Sequence, residues 1–301
     1  MLGGDGSGST PAGEFIAPLA GPADGVRGVM VISLNPQRPF DSAYRKFAML
    51  LADAVASALD GALRRSVELG EYRRISEALQ ASMLKPFSDL PTVAARYLPA
   101  VGNLAVGGDW YDVIDLGEGR RGIIVGDCVG HGLEAATVMA QVRSAARSLI
   151  LEGHDPARVL DGLDTFAAAL DGARYASVVC AVFDRSRQTL TYSRAGHPPP
   201  LLLSPNGSTW LDSAGGPPLT ISDPHPRSNT TIDVTHEDVI VLYTDGLIER
   251  RGESLDVGLQ RLMDAASAMF GFTVQTMADR LLRVLSPETT RDDVVLVVKH
   301  L

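Results

Sequence analysis

Four acidic motifs lie far apart in the chain, and each places aspartate beside glycine or beside an apolar run. They are Gly107-Gly108-Asp109, Gly126-Asp127-Cys128, Thr244-Asp245-Gly246 and Arg291-Asp292-Asp293. Glycine lets the backbone come close to a ligand, and hard divalent cations prefer carboxylate and carbonyl oxygens. A single Asp-Gly pair is usually a turn. Several such motifs at strand ends instead predict one metal-dependent active site.

The chemistry that this residue set permits is hydrolysis of a phosphoester by metal-activated water. The candidate carboxylates are Asp109, Asp127, Asp245 and Asp292. Gathered in a cleft without cations they would repel one another, and Mg²⁺ or Mn²⁺ would relieve that charge. The carbonyl of Cys128 is a further candidate ligand, while His131 is a ligand, a proton-transfer group or a residue that orients the turn. Two ions would hold a water, lower its pKa and clamp the substrate, so no covalent nucleophile is needed.

Strand-like apolar runs position three of these motifs, because residues 122–125 precede Asp127, 239–243 precede Asp245 and 294–298 follow Asp292. The predicted strands are 93–98, 121–125, 176–183, 189–195, 201–203, 209–211 and 293–299, and the predicted helices are 131–151, 156–170, 255–270 and 273–285. Consecutive hairpins with segregated helices are typical of an α+β architecture rather than of a parallel doubly wound sheet.

The N-terminal part differs in composition. Residues 1–25 are rich in Gly, Pro, Ser and Ala and are predicted to be flexible, and residues 26–34 form a strand candidate. Asp41 can cap a helix that continues to Met83. An apolar stripe at heptad spacing includes Tyr44, Ala48, Leu51, Val55, Ala58, Ala62, Leu69, Tyr72, Leu79 and Met83, interrupted by Arg65 and Ser76. This stripe favours a homodimer through the helix over residues 41–84; the alternative is a helix packed on its own domain.

Composition excludes several classes of function. The formal net charge of −9 argues against a nucleic-acid role, because phosphate backbones need a concentrated basic face. No apolar run approaches the ~20 residues of a membrane-spanning helix, and residues 1–10 lack the features of a secretory signal. Cys128 and Cys180 lie in apolar contexts without CxxC spacing, which is typical of buried thiols in a reducing compartment. We therefore expect a cytoplasmic protein without membrane insertion.

The ordered set of motifs resembles the metal-dependent protein phosphatases (the PPM, or protein phosphatase 2C-like, class), and is most similar to their bacterial SpoIIE-type branch. The similar stretches are residues 95–100, 106–112, 124–132, 195–199, 242–250 and 290–298. The resemblance covers residues 84–301. It implies a two-sheet β-sandwich flanked by helices, with the metals at one edge and a long helix before it. The domains expected are 1–25, a flexible N-terminus; 26–84, a GAF-like remnant with the linker helix; and 85–301, the phosphatase.

The resemblance also implies roles for the site residues. Asp127, bridging two ions, and the carbonyl of Cys128 would bind metal. Asp245 and Asp292 would complete the set of ligands of one ion. Asp109 would bind or position water at the other ion. Asp293 would lie behind the direct ligands, and Asp112 has no assigned role. His197 falls in a family motif in which a structural role and a catalytic role are both open. Arg96 stands near the place of a phosphate-binding arginine but belongs to a strand motif.

The function implied is a Mn²⁺- or Mg²⁺-dependent protein serine/threonine phosphatase, using two ions, that acts on a phosphorylated regulatory protein of the anti-sigma-factor-antagonist type. One alternative is a catalytically weak, dimeric signalling module that uses the same fold to bind partners. A metal-dependent nucleotidyl cyclase shares the two-metal chemistry, but no basic triphosphate-binding cluster accompanies the acids. Retention of all four carboxylates favours the phosphatase.

Overall fold

The computed structural model describes residues 8–9, 13–21, 25–83, 91–99, 107–130, 132–221, 226–286 and 292–301. The chain divides into two compact units, Met1–Tyr72 and Arg73–Leu301, which are described separately. The sequence places the start of the phosphatase domain at residue 85, in a segment outside the described residues.

The first unit is an antiparallel sheet followed by one long helix. Its elements are β1 (Gly8–Ser9), β2 (Glu14–Ala20), β3 (Val26–Ser33) and the part of α1 (Ser42–Met83) up to Tyr72. The helix begins as predicted, because the carboxylate of Asp41 accepts a hydrogen bond from the backbone N–H of Tyr44 (2.8 Å). The prediction that residues 1–25 are flexible is wrong for β2, which pairs with β3 along its whole length.

One face of α1 packs on the sheet of its own unit. Ala48 and Ala52 are buried together with Phe15 and Ala17 of β2. The predicted dimer seam is therefore wrong at Ala48, whose small side chain lets the helix lie close to the sheet. The seam residues Leu51, Val55, Ala58 and Ala62 are exposed. No helix in the described part of the chain, α1 included, combines the length and apolarity that a membrane span requires.

The second unit contains two β-sheets with helices outside them. Its strands are β4 (Val93–Leu98), β5 (Trp110–Asp115), β6 (Arg120–Asp127), β7 (Ser177–Asp184), β8 (Thr189–Ala195), β9 (Leu201–Ser204), β10 (Gly207–Trp210), β11 (Gly215–Gly216), β12 (Thr230–Asp233), β13 (Val239–Tyr243) and β14 (Val294–His300), and its helices are α2 (Leu133–Leu151), α3 (Pro156–Ala168), α4 (Leu255–Ser267) and α5 (Val274–Leu285). One sheet has the order β10-β9-β13-β14-β4 and the other β11-β8-β7-β6-β5, with β12 also paired to β8.

The two sheets face each other, and alternate residues of their strands fill the space between them. Ile123 of β6 and Leu242 of β13 belong to this inner core. The outer faces are also apolar: Ile124 packs under α2 and α3, while Leu296 packs under α4 and α5. Strands buried on both faces explain the continuous apolar runs in the sequence. The α+β sandwich flanked by helices is confirmed.

Most predicted strands and helices are present, but β5 and β12 were not predicted. β5 follows directly on Asp109 and carries two aspartates, so its sequence looks like a polar loop. Pairing with β6 and burial of Trp110 overcome the weak strand propensity of aspartate. Tertiary contacts therefore decide the structure of the segment that carries the first acidic motif.

Burial of α5 against the five-stranded sheet gives a stability prediction. Leu281 is fully buried in the core beneath α5, whereas Val284 on the same helix is 56% exposed. Leu281→Ala should lower the free energy of unfolding by about 2–5 kcal/mol, because it removes buried methyl groups and leaves a cavity. The matched control Val284→Ala should change it by less than about 0.5 kcal/mol. Urea denaturation measures both, and equal losses would contradict this packing.

Candidate metal centre

Two antiparallel strand pairs each place two of the predicted aspartates side by side. β5 runs antiparallel to β6, so Asp109, directly before β5, adjoins Asp127, the last residue of β6. β13 runs antiparallel to β14, so Asp245, shortly after β13, adjoins Asp292, shortly before β14. The sheet ladders alone thus bring together residues that are far apart in sequence.

The two strand pairs belong to different sheets, and interactions at this edge join them. Asp109 hydrogen-bonds to Thr244, which precedes Asp245, and shares a hydrogen bond with Asp127. The charges of Asp127 and Asp292 both act on Asp245. The structure therefore gathers all four predicted aspartates, which together with Asp293 are called the acidic cluster below.

Burial and mutual repulsion raise the pKa of three of these carboxyls. Burial first, and then the charge of Asp127, raise the pKa of Asp109 well above its ordinary value. Burial also raises the pKa of Asp127, against the hydrogen bond with Asp109, which lowers it. Burial, followed by the charge of Asp127, raises the pKa of Asp245 to about 7. Burial and repulsion therefore favour the protonated form of these carboxyls when no cation is bound.

Two glycines allow the close approach that the sequence suggested. A Cβ on Gly108 would overlap the carbonyl oxygen of Cys128, and the backbone N–H of Cys128 donates to the carbonyl of Gly108 (3.1 Å). A Cβ on Gly107 would overlap the carboxylate of Asp293. Neither position has room for a side chain, so glycine at both is a steric requirement of the cluster.

The donor set suits a hard divalent cation. Oδ2 of Asp109 is buried and has no hydrogen-bond partner among the described residues, and the Cys128 carbonyl lies beside Gly108. Oxygen ligands of this kind are those that Mg²⁺ and Mn²⁺ prefer. Within the described ranges, no three Asp, Glu, His or Cys side chains are arranged to hold an ion by themselves. A bound ion would therefore also need the backbone carbonyl and water.

The two remaining aspartates of these motifs have different surroundings. Asp293 is 4% exposed, and its charge raises the pKa of Asp109, so it belongs to the acidic cluster. Asp112 is also buried, but its carboxylate pairs with Arg147 (2.6 Å) and Arg143 (3.5 Å) of α2. Asp112 therefore anchors α2 to the sheet, and its carboxylate is already paired with two arginines of the protein.

His197 joins the two sheets directly beneath the cluster. Its Nε2 lies 2.9 Å from the carbonyl oxygen of Tyr243, and its Nδ1 lies 2.8 Å from the hydroxyl of Ser177, which pairs with Asp127 across β6 and β7. A carbonyl only accepts, so Nε2 donates and Nδ1 accepts from Ser177. Burial lowers the pKa of His197 to about 4, so the ring is neutral. These contacts favour the structural role for His197.

Sequence reasoning missed two residues of the site. Thr244 is fully buried, and its hydroxyl accepts a hydrogen bond from the backbone N–H of Val295 (2.8 Å) in addition to contacting Asp109. Glu249 adds a negative charge that raises the pKa of Asp245. Threonine directly before the Asp-Gly pair was the available signal for the first, whereas Glu249 carries none. His131 and Arg291 lie outside the described residues.

The architecture is similar to solved structures of one class. The RsbU and RsbW domains of Rv1364c from Mycobacterium tuberculosis are 34% identical to this chain, with a TM-score of 0.63 over 69% of this chain and 60% of that one. The PP2C phosphatase domain of SpoIIE from Bacillus subtilis, with a fragment of its regulatory domain, is 18% identical, with a TM-score of 0.58 over 69% and 62%. The fold is that of the PP2C class.

The family follows from the sequence itself. Residues 117–301 match the profile of the family described as Stage II sporulation protein E (SpoIIE). That is more than half of the chain, and the protein belongs to the SpoIIE family. Two relatives from Bacillus subtilis (strain 168) are each 29% identical: phosphoserine phosphatase RsbP, over 47% of this chain and 36% of its own length, and phosphoserine phosphatase RsbU, over 64% and 58%. The chain thus spans about a third to three fifths of the length of these two relatives.

Repulsion within the cluster predicts an effect of Asp245→Asn on stability that reverses with metal. Ionisation of Asp245 costs the folded protein stability, because the same carboxyl ionises more easily in the unfolded chain. This loss of stability is absent below pH ~4 and complete above the folded pKa of about 7. In EDTA, at a pH above that pKa, the free energy of unfolding of the variant should be about 1–2 kcal/mol higher than that of wild type. With saturating Mn²⁺ the order should invert, because only the wild type gains the full binding energy.

Urea denaturation in EDTA and in Mn²⁺ measures both arms, and Asp233→Asn, at an exposed aspartate of β12, is the matched control. A variant less stable than wild type in EDTA would show that Asp245 is not under electrostatic repulsion.

Proposed function

We propose that the protein is a Mn²⁺- or Mg²⁺-dependent phosphatase that removes phosphate from serine or threonine of a regulatory protein. The observation that carries this proposal is the gathering of Asp109, Asp127, Asp245 and Asp292 at one edge of a PP2C-class sandwich. The names of RsbP and RsbU as phosphoserine phosphatases support serine as the residue that carries the phosphate.

Each residue of the cluster has a distinct task in this proposal. Divalent ions, when bound, supply a water of lowered pKa and neutralise the phosphate oxygens. Asp127 interacts with Asp109, Asp245 and Asp292, and it would hold both ions, as the family resemblance implies. The Cys128 carbonyl, held beside Gly108, adds a neutral oxygen. Asp245 and Asp292 would help to hold one ion, and Asp109 would bind or position water at the other.

The side chains near the cluster leave water as the attacking group. Burial, followed by the charges of Asp127 and Asp109, raises the pKa of the Cys128 thiol to about 12, so the thiol stays protonated at neutral pH. Both ring nitrogens of His197 are engaged in hydrogen bonds within the frame. Neither group is therefore available as a nucleophile or proton donor to the substrate.

Substrate selection in this proposal comes from the docked protein. Arg96 donates hydrogen bonds to Asp279 (2.8 Å) and Gln275 (3.0 Å) of α5 and so stabilises the contact between sheet and helix. The substrate phosphate would then be held mainly by metal, with little affinity for small phosphoesters. We propose a phosphorylated anti-sigma-factor antagonist as the substrate, as the family resemblance implies.

Loss of cluster carboxylates should abolish turnover without loss of the fold. Asp127→Asn and Asp245→Asn should each lower kcat by about 10²–10³-fold or more, because each removes a charged ligand of the catalytic metal. Hydrolysis of p-nitrophenyl phosphate and of a phosphoserine protein is measured with Mn²⁺, with Mg²⁺ and with EDTA. EDTA should stop both reactions, and Asp233→Asn should leave both rates unchanged.

Two results would contradict this proposal. One is activity that persists in EDTA, and the other is wild-type turnover in both variants. A wild-type protein that binds Mn²⁺ and a partner but hydrolyses neither substrate would instead support the catalytically weak binding module.

We further propose that α1 forms a homodimer with the same helix of a second copy. Leu51 and Val55 are 43% and 39% exposed, although both are large and apolar. Both side chains stay exposed although Ala48, on the same heptad stripe, is buried against the sheet. A row of exposed apolar residues at heptad-like spacing favours pairing of helices. We place this unit as the end of a sensor domain of the GAF type, whose exit helix precedes the phosphatase.

The double variant Leu51→Glu/Val55→Glu should convert the dimer to a monomer, because it places four like charges in the paired helices. Light scattering after gel filtration measures the mass in solution. Ser57→Glu, at an exposed position off the stripe, is the control and should remain dimeric. A monomeric wild-type chain would refute the proposed homodimer through α1.

A further inference from the structure

A cavity lies at the end of the sandwich opposite the acidic cluster. Arg121 is near the start of β6 and Lys299 near the end of β14, whereas Asp127 and Asp292 lie at the other ends of these strands. The turn between β7 and β8 adds Arg185. The cavity has a volume of about 570 Å³ and is called the basic cavity here. Its lining includes Arg121, Phe183, Arg185, Val234, Lys299 and His300.

Lys299 is the innermost cation of this cavity. The residue is only 4% exposed, and its Nζ donates a hydrogen bond to the carbonyl of His300 (2.7 Å). The same Nζ lies 4.4 Å from the centroid of the Phe183 ring. No carboxylate of the described residues pairs with it. A buried ammonium held only by a carbonyl and an aromatic face lacks the counter-ion that burial of charge requires.

The other cations of the basic cavity increase its excess of positive charge. Arg121 pairs with Asp115 (3.2 Å), whose side chain is 71% exposed, and Arg185 pairs with no carboxylate in the described part of the chain. Asp115 is the acidic residue among the described residues that line the cavity. Among the lining side chains, the three cations Arg121, Arg185 and Lys299 therefore outnumber the one carboxylate, in a protein whose net charge is −9.

The charge excess acts on Lys299 directly. Burial, followed by the charges of Arg121 and Arg185, lowers the pKa of Lys299 to about 8. An anion placed among these three side chains would gain charge-assisted hydrogen bonds and would relieve their repulsion. The guanidinium groups present paired N–H donors that match the oxygens of phosphate.

We propose that the basic cavity binds a small phosphate-bearing anion, held by Lys299, Arg121 and Arg185. The apolar part of the ligand packs on Phe183 and Val234, and the volume falls in the range of ~300–1,000 Å³ typical of small-molecule sites. Asp292 and Lys299 are joined by the extended strand β14, so the cavity lies roughly 23 Å from the acidic cluster at 3.3 Å per residue. The site is therefore separate from the catalytic one and does not depend on the proposed phosphatase activity.

Calorimetric titration of the full chain in EDTA tests this proposal. Without metal the acidic cluster repels anions, so it gives no competing signal. The probes are inorganic phosphate, adenosine monophosphate, and vesicles that contain phosphatidylglycerol. The wild type should bind at least one of them saturably at millimolar concentration or below. Saturation by a soluble probe identifies a free phosphate ligand, and saturation by vesicles alone identifies a lipid headgroup.

Three variants make the test specific to this cavity. Lys299→Met and Arg185→Gln should each weaken binding by about tenfold, because each removes a charged donor. Arg185 is exposed, so its variant keeps the test valid if Lys299→Met fails to fold in a thermal melt. Arg283→Gln, at an exposed arginine of α5, is the control and should bind like wild type. The proposal is overturned if no probe binds, if Arg185→Gln binds as tightly as wild type, or if Arg283→Gln weakens binding equally.

Discussion

Repulsion among buried carboxylates is the constraint on which the rest of this structure depends. Asp109 is almost completely buried, and the charges of Asp127 and Asp293 raise the energy of ionising it. A protein chain does not hold like charges in a cleft for stability, since replacing them by neutral groups would remove the cost. Divalent cations would offset this repulsion, and the cluster, more than the sandwich itself, is therefore the feature that supports the proposed metal-dependent chemistry.

The surrounding structure opposes that repulsion by fixing the strand ends. Antiparallel ladders hold Asp109 beside Asp127 and Asp245 beside Asp292. His197 joins the two sheets at this edge by contacting the Ser177 hydroxyl and the Tyr243 carbonyl, while Thr244 holds the end of β13 to β14 through the backbone N–H of Val295. Glycine at position 108 removes the side chain that would displace the Cys128 carbonyl. Each of these interactions is local and weak, but together they keep the carboxylates in place before any ion binds. This lowers the structural reorganisation that ion binding requires.

Local patterns in the sequence were sufficient for most of the fold and for the four cluster aspartates. The apolar runs before Asp127 and Asp245 predicted their strands, because both faces of each sheet are buried and no polar alternation interrupts the run. β5 could not be predicted in this way, since its aspartates are compensated by Arg147 and by contacts that only the folded chain supplies. The packing of Ala48 was likewise invisible, because a heptad pattern does not show which face meets the sheet of its own unit.

The most direct test of the central claim is calorimetric titration of Mn²⁺ into EDTA-stripped protein, repeated in buffers of different ionisation enthalpy. Wild type should take up Mn²⁺ saturably at millimolar concentration or below, and should release protons on binding, because burial raises the pKa of Asp109 and Asp127. Asp127→Asn should lose this uptake while keeping its fold. An absence of binding in the wild type, or unchanged binding in Asp127→Asn, would contradict the account.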